Sequence, residues 1–327
     1  MIFSKTTDFT IRCLNYDNFI FVPAYFRLHK SEQSITVVHK IGVSMTLQEW
    51  KQTGSYYSYQ NWKIFFKEEG KGEHLLLIHG FPTASLDWEK IWKPLSKKYR
   101  LIASDLLGFG FSSKPSIDYS IFLQADIIES LLAEKGIQEV NILAHDLGDT
   151  VAQELLARFI ERKKSKKKGL KIKRIILLNG GIFPESHRPR FIQKLLHSPI
   201  GWILSRLMNR KSFQKSFSAV FGKNTKPSQE ELDQFWDLVF SDGGTKIAHL
   251  LIRYIQERKL YRERWVGAIL NSPIPIRMIN GVDDPVSGAH LVERYRELSP
   301  KADIIELKEI GHYPQVEAPN AVLKAIL

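Results

Sequence analysis

Short apolar runs alternate with amphipathic segments along most of the chain. Residues 74–78 and 140–144 are almost wholly apolar, which is typical of strands covered on both faces of a parallel sheet. Residues 62–67 alternate between apolar and polar, as a half-buried strand does, and residues 125–132 have the pattern of a helix. Further strands are predicted at residues 100–105, 172–178, 274–280 and 303–307. Strands that alternate with helices predict an α/β fold with a doubly wound, mostly parallel sheet.

The pattern changes after residue 180, where long aromatic-rich segments predict helices and no strand is evident. These helices are predicted at residues 191–208, 230–240 and 246–265. Most of their aromatic side chains are expected to pack among themselves. A few are expected to line an apolar pocket of the kind that binds small molecules.

This change divides the chain into a core and an insertion. We predict a helical cap over residues 181–270, inserted into a core formed by residues 45–180 and 271–327. Residues 1–44 carry no clear pattern and precede an alternative start at Met45. We interpret them as an N-terminal arm, either disordered or an upstream extension.

The apolar run at residues 140–144 leads through His145 and Asp146 directly into a helix-forming segment. A strand, a sharp turn and a helix in this order form a nucleophile elbow, usually written G-x-S-x-G. Here Ala144 replaces the first glycine and Asp146 replaces the serine, so an ordinary serine esterase is not expected. A carboxylate attacks carbon and forms an ester with the enzyme, which suits alkyl halides and epoxides. The alternative is that Asp146 only caps the following helix.

Other strand ends carry groups that such a nucleophile needs. Gly80 lets the loop after residues 74–78 approach the elbow and supply a backbone N–H to an oxyanion hole. An acid in the Asp283-Asp284 pair and His312 follow the elbow in the order nucleophile, acid, histidine. That order predicts a histidine base that is oriented by a carboxylate.

Composition indicates a soluble globular protein without a cofactor. The 327 residues are 43% hydrophobic and 25% charged. The single cysteine, Cys13, excludes an internal disulfide framework, and the histidines lack metal-ligand spacing, so no metal is expected. No signal peptide is evident and no apolar stretch is long enough to span a membrane. We therefore predict a cytoplasmic protein. Membrane association is possible, but no spanning segment supports it, and the sequence leaves the oligomeric state open.

The formal net charge of +12 is concentrated locally. Nine lysines and arginines lie between residues 162 and 174, between a helix and the next strand. A run of this kind can bind nucleic acid or anionic lipid. Because no aromatic residues are interleaved with it, we predict a solvated loop and no nucleic-acid partner.

Several segments together resemble the α/β-hydrolase superfamily, specifically its Asp-nucleophile branch, which contains epoxide hydrolases and haloalkane dehalogenases. The likeness runs from about residue 50 to residue 327 and includes the cap. The matching segments are LLIHGFPT at 76–83, LGFGFS at 107–112, HDLGDTVAQELL at 145–156, NGGIFPE at 179–185 and RWVGA at 264–268. The resemblance implies the α/β-hydrolase fold with an inserted helical cap. It also implies a small apolar substrate, water as the second reactant, and no cofactor.

The resemblance implies a role for each residue of a triad. Asp146 would attack an sp³ carbon and become an alkyl ester. His312 would activate the water that hydrolyses this ester, and Asp284 would orient His312. Asp284 is preferred over Asp283 because the family's acid stands directly before proline, here Pro285.

The resemblance also bears on the leaving group. The backbone N–H groups of Phe81 and Leu147 would form the oxyanion hole. Dehalogenases of the family commonly hold the departing halide with a tryptophan after the nucleophile and a second tryptophan or asparagine, but Leu147 and Phe81 occupy these places. Epoxide hydrolases use tyrosine hydroxyls from the cap, for which Tyr254 and Tyr261 are candidates because their seven-residue spacing puts them on one helical face.

The resemblance thus favours an epoxide hydrolase-like enzyme over two alternatives. One is a haloalkane dehalogenase-like hydrolase, and the other is a non-catalytic binding protein on a hydrolase fold. A hydrolase of small haloacids is disfavoured because it needs a cation near the substrate carboxylate, and no arginine directly follows Asp146.

Overall fold

The computed structural model describes residues 45–327, so the predicted N-terminal arm and Cys13 lie outside the described residues. One sheet of eight strands forms the centre of this region. The strands are β1 (Ser55–Tyr59), β2 (Trp62–Glu69), β3 (Glu73–Ile78), β4 (Tyr99–Ser104), β5 (Glu139–His145), β6 (Lys171–Leu178), β7 (Ile276–Gly281) and β8 (Asp303–Leu307).

The strand order places the candidate elbow near the middle of the sheet. The order is β1-β2-β4-β3-β5-β6-β7-β8, with β2 antiparallel to β1 and β4 and all other neighbours parallel. The apolar runs of β3 and β5 are buried, as expected for strands covered on both faces. The predicted α/β fold with a mostly parallel sheet is confirmed, and the carboxyl ends of β3, β5, β6, β7 and β8 share one edge.

Helices cover both faces of the sheet and fill the connection between β6 and β7. The first four are α1 (Leu47–Gln52), α2 (Glu89–Ser96), α3 (Ile121–Glu134) and α4 (Leu147–Lys164). Between β6 and β7 lies what we term the helical insertion: α5 (Phe191–Leu196), α6 (Gly201–Leu207), α7 (Arg210–Ser218), α8 (Gln229–Phe240), α9 (Gly244–Leu251), α10 (Tyr254–Leu260) and α11 (Arg262–Leu270). The chain closes with α12 (Ala289–Leu298), α13 (Pro314–Glu317) and α14 (Pro319–Ile326). None of the helices in residues 45–327 is long and apolar enough to cross a bilayer.

The sequence pattern predicted the elements of the sheet better than those of the insertion. The predicted helix at residues 191–208 is two helices, because Pro199 lies in the break between them. The predicted helix at residues 246–265 is divided among α9, α10 and α11. Strand β1 was not predicted, because its serines and tyrosines are mostly exposed and give no clear apolar alternation.

The basic segment after α4 is exposed. Six lysines between residues 163 and 171 project into solvent, whereas Arg162 pairs with Glu129 and Lys173 pairs with Glu73. This arrangement agrees with the predicted solvated loop.

Candidate active site

Asp146 lies on the sharp turn between β5 and α4, with φ 46° and ψ −105°. A non-glycine residue in this region of conformational space costs on the order of 1–3 kcal/mol and is found mainly at functional sites. Gly148 permits the turn, because a Cβ there would collide with the backbone of Ile78. The Asp146 side chain makes no capping hydrogen bond to α4, so helix capping does not account for this carboxylate.

His312 and Asp284 form a buried pair beside this turn. Because a carboxylate oxygen only accepts, the His312 Nδ1–H donates to Asp284 Oδ2, 2.7 Å away. This bond leaves His312 Nε2 directed toward Asp146, 4.0 Å from its Oδ2. The structure therefore brings Asp146, His312 and Asp284 together, whereas the neighbouring Asp283 is exposed.

Several neutral groups fix the Asp284 carboxylate. Asn179 Nδ2 and the Ser287 hydroxyl donate to Asp284 Oδ2, and the Val286 N–H donates to Oδ1. Asn179 stands at the end of β6 and also donates to the Gly281 carbonyl. It thus supports the acid after β7 rather than replacing it.

A second histidine joins the nucleophile strand to the loop that carries the base. The His145 Nε2–H donates to the His312 carbonyl oxygen at 2.8 Å. Complete burial, and then the charge of His312, lower the pKa of His145 to about 3, so its ring is neutral. His145 therefore fixes the position of the His312 backbone without adding charge.

One of the two predicted oxyanion donors contacts the carboxylate directly. The Phe81 N–H donates to Asp146 Oδ2 at 3.1 Å. Gly80 allows this approach, since a Cβ there would collide with Asp146 Cβ. Leu147 is the first residue of α4, so its N–H has no partner within the helix and remains available beside the same carboxylate.

Arg258, on α10, also contacts Asp146 and was missed by the sequence reasoning. Its Nη2 donates to the Asp146 carbonyl oxygen at 2.8 Å and lies 3.3 Å from Oδ1, while its Nε donates to the Thr150 hydroxyl at 2.7 Å. Only 2% of the Arg258 side chain is exposed. A cation therefore does lie beside Asp146, although no arginine directly follows it in sequence. The available signal was the i, i+4 spacing of Tyr254 and Arg258, which places both on one face of α10.

The charges of the site are mutually dependent. Burial opposes ionisation of Asp146, but Arg258 and His312 outweigh it and hold the pKa of this carboxyl below its ordinary value. Burial likewise opposes ionisation of Asp284, yet the charge and hydrogen bond of His312 lower its pKa to about 2. Burial disfavours the imidazolium, but Asp284 and then Asp146 raise the pKa of His312 to about 9.

An apolar cavity of about 260 Å³ opens onto Asp146 and His312. Its apolar lining comes from the β3 loop and the helical insertion and includes Phe81, Leu196 and Phe217. No tryptophan of residues 45–327 is among the lining residues. The cavity therefore offers apolar contact and the carboxylate, without an indole N–H.

The two predicted cap tyrosines lie in different surroundings. Tyr254 is buried against Phe81, with 5.9 Å between ring centroids, and its hydroxyl has no hydrogen-bond partner among the described residues. Burial and the Asp146 charge raise the pKa of this hydroxyl, so it stays protonated. Tyr261 instead packs against Phe122 and Trp265. Neither tyrosine lines the cavity itself, but Tyr254 adjoins it through Phe81.

Residues 73–319 match the model of the alpha/beta hydrolase fold. The chain belongs to this family. It is 44% identical over 297 residues to the mesoderm-specific transcript homolog protein of Bos taurus, covering 87% of this chain and 88% of the relative. The resemblance to mesoderm-specific transcript proteins, which the segment NGGIFPE at 179–185 suggests most specifically, is confirmed by this overall identity. It is also 36% identical over 286 residues to the hydrolase-named protein LipZ of Mycobacterium tuberculosis, covering 87% of this chain and 98% of LipZ.

Solved structures of the same fold agree with this membership. The haloalkane dehalogenase DbeA of Bradyrhizobium elkani superposes with a TM-score of 0.70 at 22% identity, over 84% of this chain and 95% of that chain. The epoxide hydrolase CorEH gives a TM-score of 0.67 at 17% identity, over 84% of this chain and 97% of that chain. At these identities the likeness shows the fold alone.

Proposed function

We propose that the protein is a hydrolase that uses Asp146 as a nucleophile and passes through a covalent alkyl-enzyme ester. The observation that carries this proposal is the position of the Asp146 carboxylate. It is ionised, lies on the strained elbow, makes no helix-capping hydrogen bond and faces His312 Nε2. Asp146 Oδ2 accepts from the Phe81 N–H, and Oδ1, which Arg258 Nη2 approaches only to 3.3 Å, is the atom assigned to attack carbon. Oδ2 then becomes the carbonyl oxygen of the ester and stays in the oxyanion hole formed by the backbone N–H groups of Phe81 and Leu147.

Ester formation prepares His312 for the second step. While Asp146 is ionised, its charge helps to keep His312 protonated. Esterification removes that charge, so the pKa of His312 falls and more of the ring is in the neutral form, which is the only form that can accept a proton. His312 then takes a proton from water, the resulting hydroxide adds to the ester carbonyl, and collapse of the tetrahedral intermediate releases the alcohol and regenerates Asp146.

An epoxide is the substrate class that the surroundings of Asp146 favour. Opening the ring forms one C–O bond to Asp146 and breaks another, and the departing oxygen needs a proton. The Tyr254 hydroxyl is protonated, unpartnered among the described residues and close enough to Asp146 to be influenced by its charge. Tyr254 is therefore assigned as the proton donor, its phenolate regains the proton that His312 takes from water in the second step, and Tyr261 has no part in this reaction.

A haloalkane dehalogenase-like reaction is the less supported alternative. A departing halide requires donors such as indole N–H groups, and no tryptophan in residues 45–327 lines the cavity. The non-catalytic alternative would leave the strain at Asp146 and the three buried ionic groups without a use.

Trapping the ester tests the proposal. A His312→Gln variant lacks the base, so it should accumulate an adduct on the peptide that carries Asp146 when it is exposed to a panel of terminal epoxides and haloalkanes. An epoxide adds its whole mass, whereas a haloalkane adds only its alkyl group, so intact-mass measurement separates the two reactions. The matched control is the Asp146→Asn/His312→Gln double variant, which should stay unmodified. If neither substrate class modifies Asp146 in a folded protein, the proposed function is wrong for both.

A further inference from the structure

The outer face of the helical insertion exposes large apolar side chains. Phe191 is 76% exposed, Leu207 is 69% exposed and Leu260 is 74% exposed. Trp202 and Leu260 line the same open groove, so α6 and α10 contribute to one surface. We call this surface the apolar face; its members are Phe191, Ile200, Trp202, Ile203, Leu207 and Leu260. Isolated apolar residues are normal on protein surfaces, but a clustered set marks an interaction site.

The segment that carries most of the apolar face is also rich in positive charge. Residues 186–229 contain nine lysines and arginines and no aspartate or glutamate, in a chain whose net charge is +12. Lys194, Lys211 and Lys215 are exposed and make no ion pair with any described residue. The Arg206 guanidinium lies over the Trp202 ring, 5.3 Å from its centroid, so cation and aromatic ring are presented together.

The apolar face is continuous with the cavity that reaches Asp146. Phe191 belongs to both, since it is mostly exposed and also lines the cavity. Leu196 and Met208, from the same part of the insertion, continue the apolar lining inward. A molecule entering beside Phe191 therefore meets apolar side chains along its path.

We propose that the apolar face docks on the surface of an anionic lipid bilayer. Exposed aliphatic and aromatic side chains in a segment rich in lysine and arginine match the acyl boundary and the charged headgroups of such a bilayer. Nucleic acid would use the positive charge but leave the aliphatic side chains exposed. A second copy of the chain would bring together two segments that each carry nine positive charges and no negative ones, which opposes self-association.

Docking would deliver substrate as well as anchor the protein. With the apolar face in the bilayer, the entrance beside Phe191 would open toward acyl chains, so apolar substrates dissolved in the membrane would reach Asp146 without crossing water. Delivery of substrate rests on the proposed function, whereas docking itself does not depend on catalysis.

Vesicle co-sedimentation of the full chain tests docking without reference to any reaction. The full chain should bind vesicles of phosphatidylcholine that contain about 30% phosphatidylserine, and should bind pure phosphatidylcholine at least about tenfold more weakly. The Trp202→Ser/Leu207→Ser and Lys194→Glu/Lys211→Glu variants should each reduce binding to the mixed vesicles by about tenfold. A Trp202→Phe variant should bind normally but lose part of the fluorescence quenching caused by brominated lipid.

Matched variants separate the apolar face from other surfaces. Leu270→Ser removes a partly exposed leucine outside the apolar face, and Lys166→Glu/Lys167→Glu reverses the charge of the basic loop after α4. Both should bind vesicles as the unmodified chain does, and thermal melting should show that every variant is folded. The proposal is overturned if only the loop variant loses binding, if duplex DNA rather than vesicles competes for Trp202, or if sedimentation shows self-association through this face.

Discussion

The Arg258 guanidinium crosses from the helical insertion to the core and donates to the backbone carbonyl of Asp146 at 2.8 Å. The same guanidinium nitrogen, Nη2, also lies 3.3 Å from the Asp146 Oδ1 atom. This one side chain therefore supports the strained turn and the ionised state of the carboxylate together.

Removing Arg258 should reduce both activity and stability. In an Arg258→Gln variant the buried Asp146 charge loses its partner, so the free energy of unfolding should fall by about 3 kcal/mol. Formation of the trapped ester in the His312→Gln background should slow by about 100-fold, because Asp146 is less ionised and less well oriented. Arg258→Lys should be intermediate, since it keeps the charge but loses the forked geometry.

Arg262→Gln is the control for this prediction, because Arg262 pairs with Glu185 at the surface. It should change stability by less than about 1 kcal/mol and leave ester formation unchanged. Equal losses in both variants would show that Arg258 acts only through general stability.

Hydrolysis of the ester should depend on pH through His312. The pKa of His312 is about 9 while Asp146 is ionised, and the loss of that charge lowers it in the ester. Because only neutral His312 accepts a proton, the single-turnover rate of ester hydrolysis should rise with pH and level off with a midpoint below about 9. An Asp284→Asn variant should shift the midpoint to lower pH while slowing the reaction, because it removes the strongest influence that raises this pKa. A midpoint that does not move in this variant would contradict the assignment of Asp284.

The two tyrosines of the insertion should respond differently to removal of the hydroxyl. Tyr254→Phe should slow epoxide opening by about 100-fold, because the departing oxygen loses its proton donor. Tyr261→Phe should be nearly silent, because Tyr261 packs on Phe122 away from the cavity. Rates of ester formation in the His312→Gln background measure this step alone. Equal rates for the two variants would remove Tyr254 from the mechanism.

The position of the Arg258 guanidinium should depend on glycine at position 181. A Cβ at this position would collide with Arg258 Nη1, so Gly181→Ala should displace the guanidinium and weaken both stability and ester formation. Gly267, within α11, has open space around it, and Gly267→Ala should stabilise the protein by about 0.5–1 kcal/mol. Thermal melting distinguishes the two, and a stabilised Gly181→Ala variant with normal ester formation would contradict the close contact.

The sheet and the residues at its edge were predictable because their signals are local. Short apolar or alternating runs predicted seven of the eight strands, and the order of Asp146, an acid at 283–284 and His312 followed from the ends of those strands. The choice of Asp284 came from the family resemblance. Arg258 was not predictable in this way. It reaches Asp146 across 112 positions of sequence, and its role depends on how α10 packs on the core.

The surroundings of each tyrosine were beyond the sequence for the same reason. The seven-residue spacing of Tyr254 and Tyr261 assumed one continuous helix, but α10 ends at Leu260 and α11 begins at Arg262. The break gives the two rings different neighbours. Periodicity alone does not reveal such a break, because no proline or glycine marks it.

The contact of Arg258 with the elbow also limits which segments members of this family can exchange by recombination. The insertion provides a guanidinium that the core nucleophile relies on, and the segment between β6 and α5 provides Gly181, which makes room for it. A chimaera that receives a foreign insertion without an equivalent cation would therefore inherit an intact sheet and a poorly ionised Asp146. Recombination between relatives should yield active proteins only when the insertion and the 179–185 segment are transferred together.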